Sequence, residues 1–231
     1  PMRITKKEQA SAQEYMIRHS ITALPVVTTK GVISDILFRD TECVAHQKIE
    51  GILKEVPVVI MAGGKGTRLL ELTKDEIPKP MTPICGKPIL QWQVDRLKEN
   101  GITDIIMIIG HLGHKIIECF GDGSAQGLQI RYIEEKNPLG TAGAFFYLRE
   151  MLTEPEFLLL FGDVLFDIDL QRMYRFHIEK HSFATLFVHP NAHPFDSDLV
   201  VTDENDRILH FDSKHNVRDY WYDNCVNAGM Y

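Results

Sequence analysis

The sequence lacks any apolar stretch near the roughly 20 residues that a helix needs to cross a bilayer, and its first residues show no signal-peptide pattern. No membrane association is expected. Cysteine is scarce: Cys43, Cys85, Cys119 and Cys225 stand far apart and form no CxxC pair. That argues against a disulfide framework and a cysteine-based zinc site, and it suits reduced thiols in a cytoplasmic protein. Positive charge is also short, with 25 Lys and Arg against 32 Asp and Glu, for a net charge of −7. A broad nucleic-acid surface is therefore not expected. An anionic ligand would have to be held by a local basic cluster working against the global field.

What remains is an ordinary globular composition, 44% hydrophobic and 25% charged over 231 residues, enough for one large α/β domain and a small appendage. From Val56 onward, short apolar runs alternate with amphipathic segments. The runs are Val58–Ala62, Ile105–Ile109, Leu128–Ile133, Phe157–Phe161 and Ala184–Val188; the segments between them include Pro88–Asn100, His114–Phe120, Thr141–Leu152 and Leu170–His181. Strands alternating with helices predict βαβ units: a doubly wound, mostly parallel, Rossmann-like α/β sheet covered on both faces. Asn100-Gly101 closes one helix, Thr141 is placed to cap another, and Asp169 reads as a third cap. From Leu199 the strands come closer together and are joined by "TDENDR", which predicts a small antiparallel insertion. The chain stops on the apolar run "VNAGMY", and the protein is expected to continue beyond residue 231.

Residues 1–45 differ in character. A helix is expected over about Lys6–His19, then "ALPVV", a turn at Lys30-Gly31 and "VISDILF". This small α+β segment resembles half of a CBS motif, with Asp40 where such motifs often touch a ribose. Half a motif cannot bury its own sheet face, which implies packing against a partner or self-association into a homo-oligomer. A cap that packs without any ligand is the other reading. Residues 46–55 serve as the linker, and residues 56–231 form the main domain.

The stretch "VIMAGGKGTRL", Val59 to Leu69, places three glycines and two basic residues where the first strand of that domain should end. No GxxxxGK[ST] string exists in the chain, so it is not a Walker A loop. Gly64-Lys65-Gly66-Thr67-Arg68-Leu69 has two of the three glycines of a dinucleotide fingerprint and then Leu. A plain glycine turn would explain Gly63 and Gly64 but not Lys65 and Arg68 beside them. Glycine-rich backbone exposes N–H groups to phosphate oxygens, and arginine adds a bidentate clamp. Farther on, "DEIPKPMTPICGKPIL" sets Lys79 between Pro78 and Pro80, which predicts a stiff, non-helical spur.

Taken together, GGxGTRL followed by PKP resembles the nucleotidylyltransferases that join a nucleoside triphosphate to a sugar 1-phosphate, such as GDP-mannose pyrophosphorylase and the thymidylyl- and cytidylyltransferases. "GKPIL", "NGITDIIMIIGHLGHKI", "FGDGS", "NPLGTAGA" and "LLLFGDVLFDIDL" extend the likeness in the family's order over Val56 to Tyr231. The resemblance implies that Gly64, Gly66, Thr67 and Arg68 wrap the triphosphate, with Ala62 and Gly63 leading into the same nucleotide-binding stretch. Lys79 would contact the α-phosphate region. Gly140, Thr141 and Ala142 would line the nucleotide and sugar pockets, and Asp163 would bind Mg²⁺ at the end of a strand. Lys214, in "HFDSKHN", would contact the sugar phosphate, and Asn227, in "NAG", would contact the sugar or serve the structure. A second metal carboxylate comes, in that family, from a "WxDxGT"-like stretch that these residues do not contain.

The implied reaction is NTP plus sugar 1-phosphate giving an NDP-sugar and pyrophosphate, with Mg²⁺ as cofactor. "HPNAHPFDSDLV" and "NCVNAGMY" resemble a subgroup acting on heptose or modified-hexose 1-phosphates, which favours GTP. Ser213 and Leu199 replace a glutamate and a glycine usual in the family and leave the sugar open. A nucleotide-sensing regulator that binds without turnover is the alternative reading. His111 and His114 read as loop histidines rather than a metal pair. Asp167 and Asp169 are candidates for extra metal ligands, Asp169 against its reading as a helix cap, and Lys87 is either a surface lysine or a phosphate contact.

Overall fold

The computed structural model describes residues 4–5, 12, 15–16, 23–28, 33–38, 51–64, 76–135, 140–220 and 222–231. Contacts divide the chain into two compact units, Pro1–Ile49 and Glu50–Tyr231. In the first unit, β1 (Ile4–Thr5) pairs in parallel with β2 (Ala23–Val27), and β2 pairs antiparallel with β3 (Ile33–Phe38). Ala12, Tyr15 and Met16 are helical, and Ala12 and Met16, one turn apart, pack with Leu24 in a small core. The two-residue β1 is too short to leave a sequence pattern. Lys30, Gly31 and Asp40 lie outside the described residues.

The second unit is built on a four-stranded parallel sheet. β4 (Val58–Met61) lies between β7 (Asp104–Ile109) and β9 (Leu158–Phe161), and β8 (Gln129–Glu134) pairs with β7. Every residue of β4 and β7 except Asp104 and Met61 is buried, as expected for strands covered on both faces. Alternate side chains enter different cores. Val58, Ile60, Ile105, Met107 and Ile109 pack with the helices α1 (Ile89–Glu99), α2 (Gly113–Phe120) and α4 (Leu170–Glu179); Val59, Ile106 and Ile108 pack with Leu148 of α3 (Gly140–Leu148). Leu53, within the stretch read as a linker, is 3% exposed and belongs to the first of these cores.

Asn100 and Gly101 end α1, Gly101 with φ of +81°. Asp169 caps α4 by accepting from Arg172 N at 2.9 Å. Thr141 does not cap α3: the helix already includes Gly140, which makes Thr141 a first-turn residue. A hairpin of β5 (Pro83–Ile84) and β6 (Lys87–Pro88) leads into α1. The insertion is antiparallel, with β10 (Val188–His189), β13 (Val226–Asn227), β11 (Leu199–Thr202) and β12 (Ile208–Asp212) in that order. The strand expected over Ala184–Val188 contracts to β10, because Phe187 instead exchanges irregular backbone bonds with Ala228 and Met230.

Ile106 is fully buried in the middle of the parallel sheet. Replacing it with Ala should cost about 2–5 kcal/mol of unfolding free energy, read by urea denaturation with an unchanged slope.

Candidate functional site

Strand order reverses at β4, since β7 and β8 follow on one side and β9 on the other. In open α/β sheets the crevice for ligands forms outside the carboxyl ends of the strands at this point. Glu135, Gly110, Gly63 and Asp163 stand just past the ends of β8, β7, β4 and β9. Two glycines meet at this rim. A Cβ on Gly110 would lie 2.7 Å from the Gly63 carbonyl oxygen, and one on Gly63 would lie 2.8 Å from Glu135 Oε2. Gly64 is exposed, and a Cβ there would meet nothing within 4 Å. Ala62 is buried, and its N–H donates to Ile108 O at 2.7 Å. Gly66, Thr67 and Arg68 lie outside the described residues.

Lys79 reaches this crevice. The expected non-helical spur is instead a 3-10 turn, Lys79–Met81, entered from an extended Pro78. Proline is tolerated in the first turn of a helix, and the Met81 N–H bond to Pro78 O at 2.8 Å, with burial of Pro80, overcomes the extended bias on Lys79. Lys79 Nζ forms an ion pair with the Asp163 carboxylate, the two side chains being 26% and 33% exposed. Two residues predicted separately from sequence are thus in contact.

The turn that carries Asp163 is fastened from three sides. Gly162 N donates to Met61 O at 2.9 Å, and Val164 N donates to Phe161 O at 3.2 Å. From α1, the Gln93 amide donates to Phe161 O at 2.8 Å and to Val164 O at 2.5 Å. Gln93 is 1% exposed, and its Oε1 is buried with no hydrogen-bond partner, a cost of about 1–3 kcal/mol. Asp167 forms an ion pair with Arg96. Lys87 stands 3.3 Å above the Trp92 ring and 2.6 Å from Asp95. Neither Asp167 nor Lys87 is free for a ligand in this arrangement. Among the described residues no group of three or more His, Cys, Asp or Glu gathers to hold a metal; His114 lies in the first turn of α2.

Sequence reading missed two residues. Gln93 sits inside an apolar helix stripe, where its partners are carbonyls remote in sequence. Glu135 was hidden because it ends an ordinary strand, yet its Oε1 is buried and unpartnered beside Gly63. A lone acid at a strand's carboxyl end next to a glycine loop was the available signal.

The antiparallel insertion carries Lys214 and Asn227. Lys214 lies in a loop closed by Asp212, which is 4% exposed and accepts from Tyr220 Oη, Asn216 Nδ2 and Arg218 Nε at 2.6, 2.8 and 2.7 Å. Arg218 also donates to Pro194 O and Ser197 O. Lys214 N donates to Asp198, and its Nζ lies 3.3 Å from Asp196. Asn227 is engaged internally, accepting from Gly229 N and donating to Tyr231 Oη. Gly229 O in turn accepts from Phe161 N at 3.0 Å, two residues before Asp163. Gly140, Thr141 and Ala142 form the first turn of α3.

Hydrogen bonds from Tyr220, Asn216 and Arg218 lower the Asp212 carboxyl from 3.8 to about 2. Its contribution to stability is therefore complete above about pH 4 and is lost as pH falls toward 2. The stability gap between wild type and Asp212→Asn, measured by denaturant titration, should shrink over that interval; a constant gap would contradict the network.

The sequence model of the nucleotidyl transferase family matches residues 57–231. The chain is 34% identical over 186 residues to the UTP–glucose-1-phosphate uridylyltransferase of Synechocystis, covering 75% of this chain and 47% of that protein. It is 37% identical over 177 residues to the mannose-1-phosphate guanylyltransferase of Mycobacterium tuberculosis, covering 77% and 48%. It is also 33% identical over 173 residues to the D-glycero-alpha-D-manno-heptose 1-phosphate guanylyltransferase of Aneurinibacillus thermoaerophilus, covering 75% and 72%. Thus the chain spans about half the length of the first two relatives and more of the third. A solved structure, the putative glucose-1-phosphate thymidylyltransferase of Bacillus anthracis, shares the fold at a TM-score of 0.66 and 22% identity, covering 76% of this chain and 70% of that one. None of these matches supports the CBS-like reading of the first unit. From Pro57 to Tyr231, the chain belongs to the nucleotidyl transferase family.

Proposed function

We infer that the protein is a sugar-1-phosphate nucleotidylyltransferase that uses GTP and Mg²⁺. A sugar-phosphate oxygen attacks the α-phosphorus, the bond from that phosphorus to the β-bridging oxygen breaks, and pyrophosphate leaves. The nucleophile is already anionic, so no strong base is required. The barrier lies in bringing two anions together and in charge growing on the leaving group, which fixed cations relieve. The observation that carries this reading is the Lys79–Asp163 pair at the switch point beside the glycine loop.

Each group of the pair has a task once a triphosphate arrives. Lys79 turns from Asp163 to the phosphates, and Arg68 clamps them with the N–H groups of Gly63, Gly64, Gly66 and Thr67. Asp163, freed from Lys79, would be the carboxylate that holds Mg²⁺. One partly exposed carboxylate suits Mg²⁺, which accepts one or two carboxylates together with phosphate oxygens and water. When bound, Mg²⁺ would neutralise charge on the phosphates. Gly140, Thr141 and Ala142 line the pocket at the start of α3. Lys214 anchors the sugar phosphate, while Asn227, two residues before the Gly229–Phe161 bond, shapes the sugar side.

The unpartnered Glu135 carboxylate favours guanine. Guanine offers two donors side by side, N1–H and N2–H, whereas uracil and thymine offer one N–H between carbonyls. The matched guanylyltransferases agree with this choice, and no match supports the sensing alternative. The described helices include none long and apolar enough to cross a membrane, and the proposed setting is the cytoplasm, where NTPs are available.

Pyrophosphate release by the full-length protein should be measured over four NTPs and a panel of sugar 1-phosphates with Mg²⁺. GTP with a mannose- or heptose-type 1-phosphate should turn over, and Arg68→Ala and Asp163→Asn should each lower the rate at least about 100-fold. Binding without turnover for every pair would favour the sensing alternative. Glu135→Gln should reduce the ratio of kcat/KM for GTP over UTP by about tenfold or more, since an amide presents a donor where the carboxylate presents an acceptor. An unchanged ratio would remove Glu135 from base recognition.

A further inference from the structure

Gln93 is a polar residue on the most apolar face of α1. Leu90, Val94 and Leu97 of the same helix are fully buried, and Gln93 is 1% exposed among them. An aliphatic side chain of similar size would fill this position without stranding an acceptor, so packing alone does not select an amide. What the amide supplies is a two-pronged donor. Its NH₂ group spans Phe161 O and Val164 O, the carbonyls on either side of Gly162 and Asp163. The orientation is set by those acceptors, because the flipped amide would press an oxygen against two carbonyls; Oε1 is left without a partner as the consequence. Three residues along α1, Arg96 ties down Asp167 at the far end of the same segment. One helix therefore holds the Asp163 turn at two points.

We propose that Gln93 is a positioning residue for Asp163. By fixing both carbonyls of the turn, it aims the Asp163 carboxylate at the place where the triphosphate and its metal ion bind. Gln93 contacts neither. It acts through Asp163, and the inference rests on the reading of Asp163 as a metal carboxylate. Groups that orient a metal ligand commonly change metal affinity 10- to 100-fold when removed.

The test uses Gln93→Met, which keeps the volume and deletes the donor. Mn²⁺ binding to the full chain, followed by electron paramagnetic resonance with the α,β-methylene analogue of GTP, should weaken about tenfold or more. The Mg²⁺ concentration for half-maximal turnover should rise in parallel. KM for GTP at saturating Mg²⁺ should stay within about twofold, and the melting temperature within a few degrees, effects that a merely structural role would not separate. Gln93→Asn keeps an amide on a shorter arm and should fall between wild type and Gln93→Met; it carries the test if Gln93→Met does not fold. Wild-type Mn²⁺ affinity in either folded variant would overturn the proposal. Asp163→Asn separates the two layers. If it loses Mn²⁺ while the Gln93 variants keep it, only the role of Gln93 fails; if Asp163→Asn binds Mn²⁺ normally, the reading of Asp163 fails first.

Discussion

A parallel sheet covered on both faces leaves only the ends of its strands free for chemistry, and the site in this chain follows from that constraint. β4 and β7 are almost wholly buried, so their polar backbone is satisfied within the ladder until the strands stop. Where they stop, β4 has the later strands β7 and β8 on one side and β9 on the other, so the strand order reverses there. The ends of β8, β7, β4 and β9 then deliver an acid, two facing glycines and a second acid to one rim. The glycines are required there by distance. Gly63 and Gly110 approach so closely that a methyl group on Gly110 would collide with backbone.

Into that rim comes a cation from outside the sheet. The Lys79–Asp163 pair is partly exposed, and such pairs contribute about 0–1 kcal/mol. It is therefore a weak reason for the fold to be stable. A pair of this kind costs little to separate, so its two groups can exchange partners. The geometry is kept instead by stronger restraints around it: burial of Pro80, the Gly162 bond to β4, and the Gln93 amide on the turn.

Legibility from sequence divided along the same line. Local patterns named the parallel strands, the helices and the antiparallel hairpin, because burial on one face leaves a period in the sequence and burial on both leaves a short continuous apolar run. Lys79 and Asp163, 84 residues apart, were found through their motifs and not through any visible link between them. Gln93 and Glu135 were missed because their meaning lies in partners, or in the want of one, that only the folded chain reveals. The contraction of the Ala184–Val188 run had a similar cause: its backbone bonds go to Met230 and Ala228 rather than into a regular ladder.

Phe161 shows how the two sides of the proposed site are joined. Its N–H donates to Gly229 O, which ties β9 to the segment leaving the antiparallel insertion. Its carbonyl accepts from both Gln93 and Val164, which ties it to α1 and to the turn bearing Asp163. Gly229 has φ of +72°, and a Cβ there would lie 2.5 Å from the Phe161 ring, so the contact is set at the level of backbone and tolerates little shift. The segment that carries Asn227 therefore meets β9 at the peptide of Phe161, two residues before Asp163. Leu159 exchanges backbone bonds with Tyr231 in both directions, so the segment leaving the insertion is fastened along β9 up to the turn that bears Asp163.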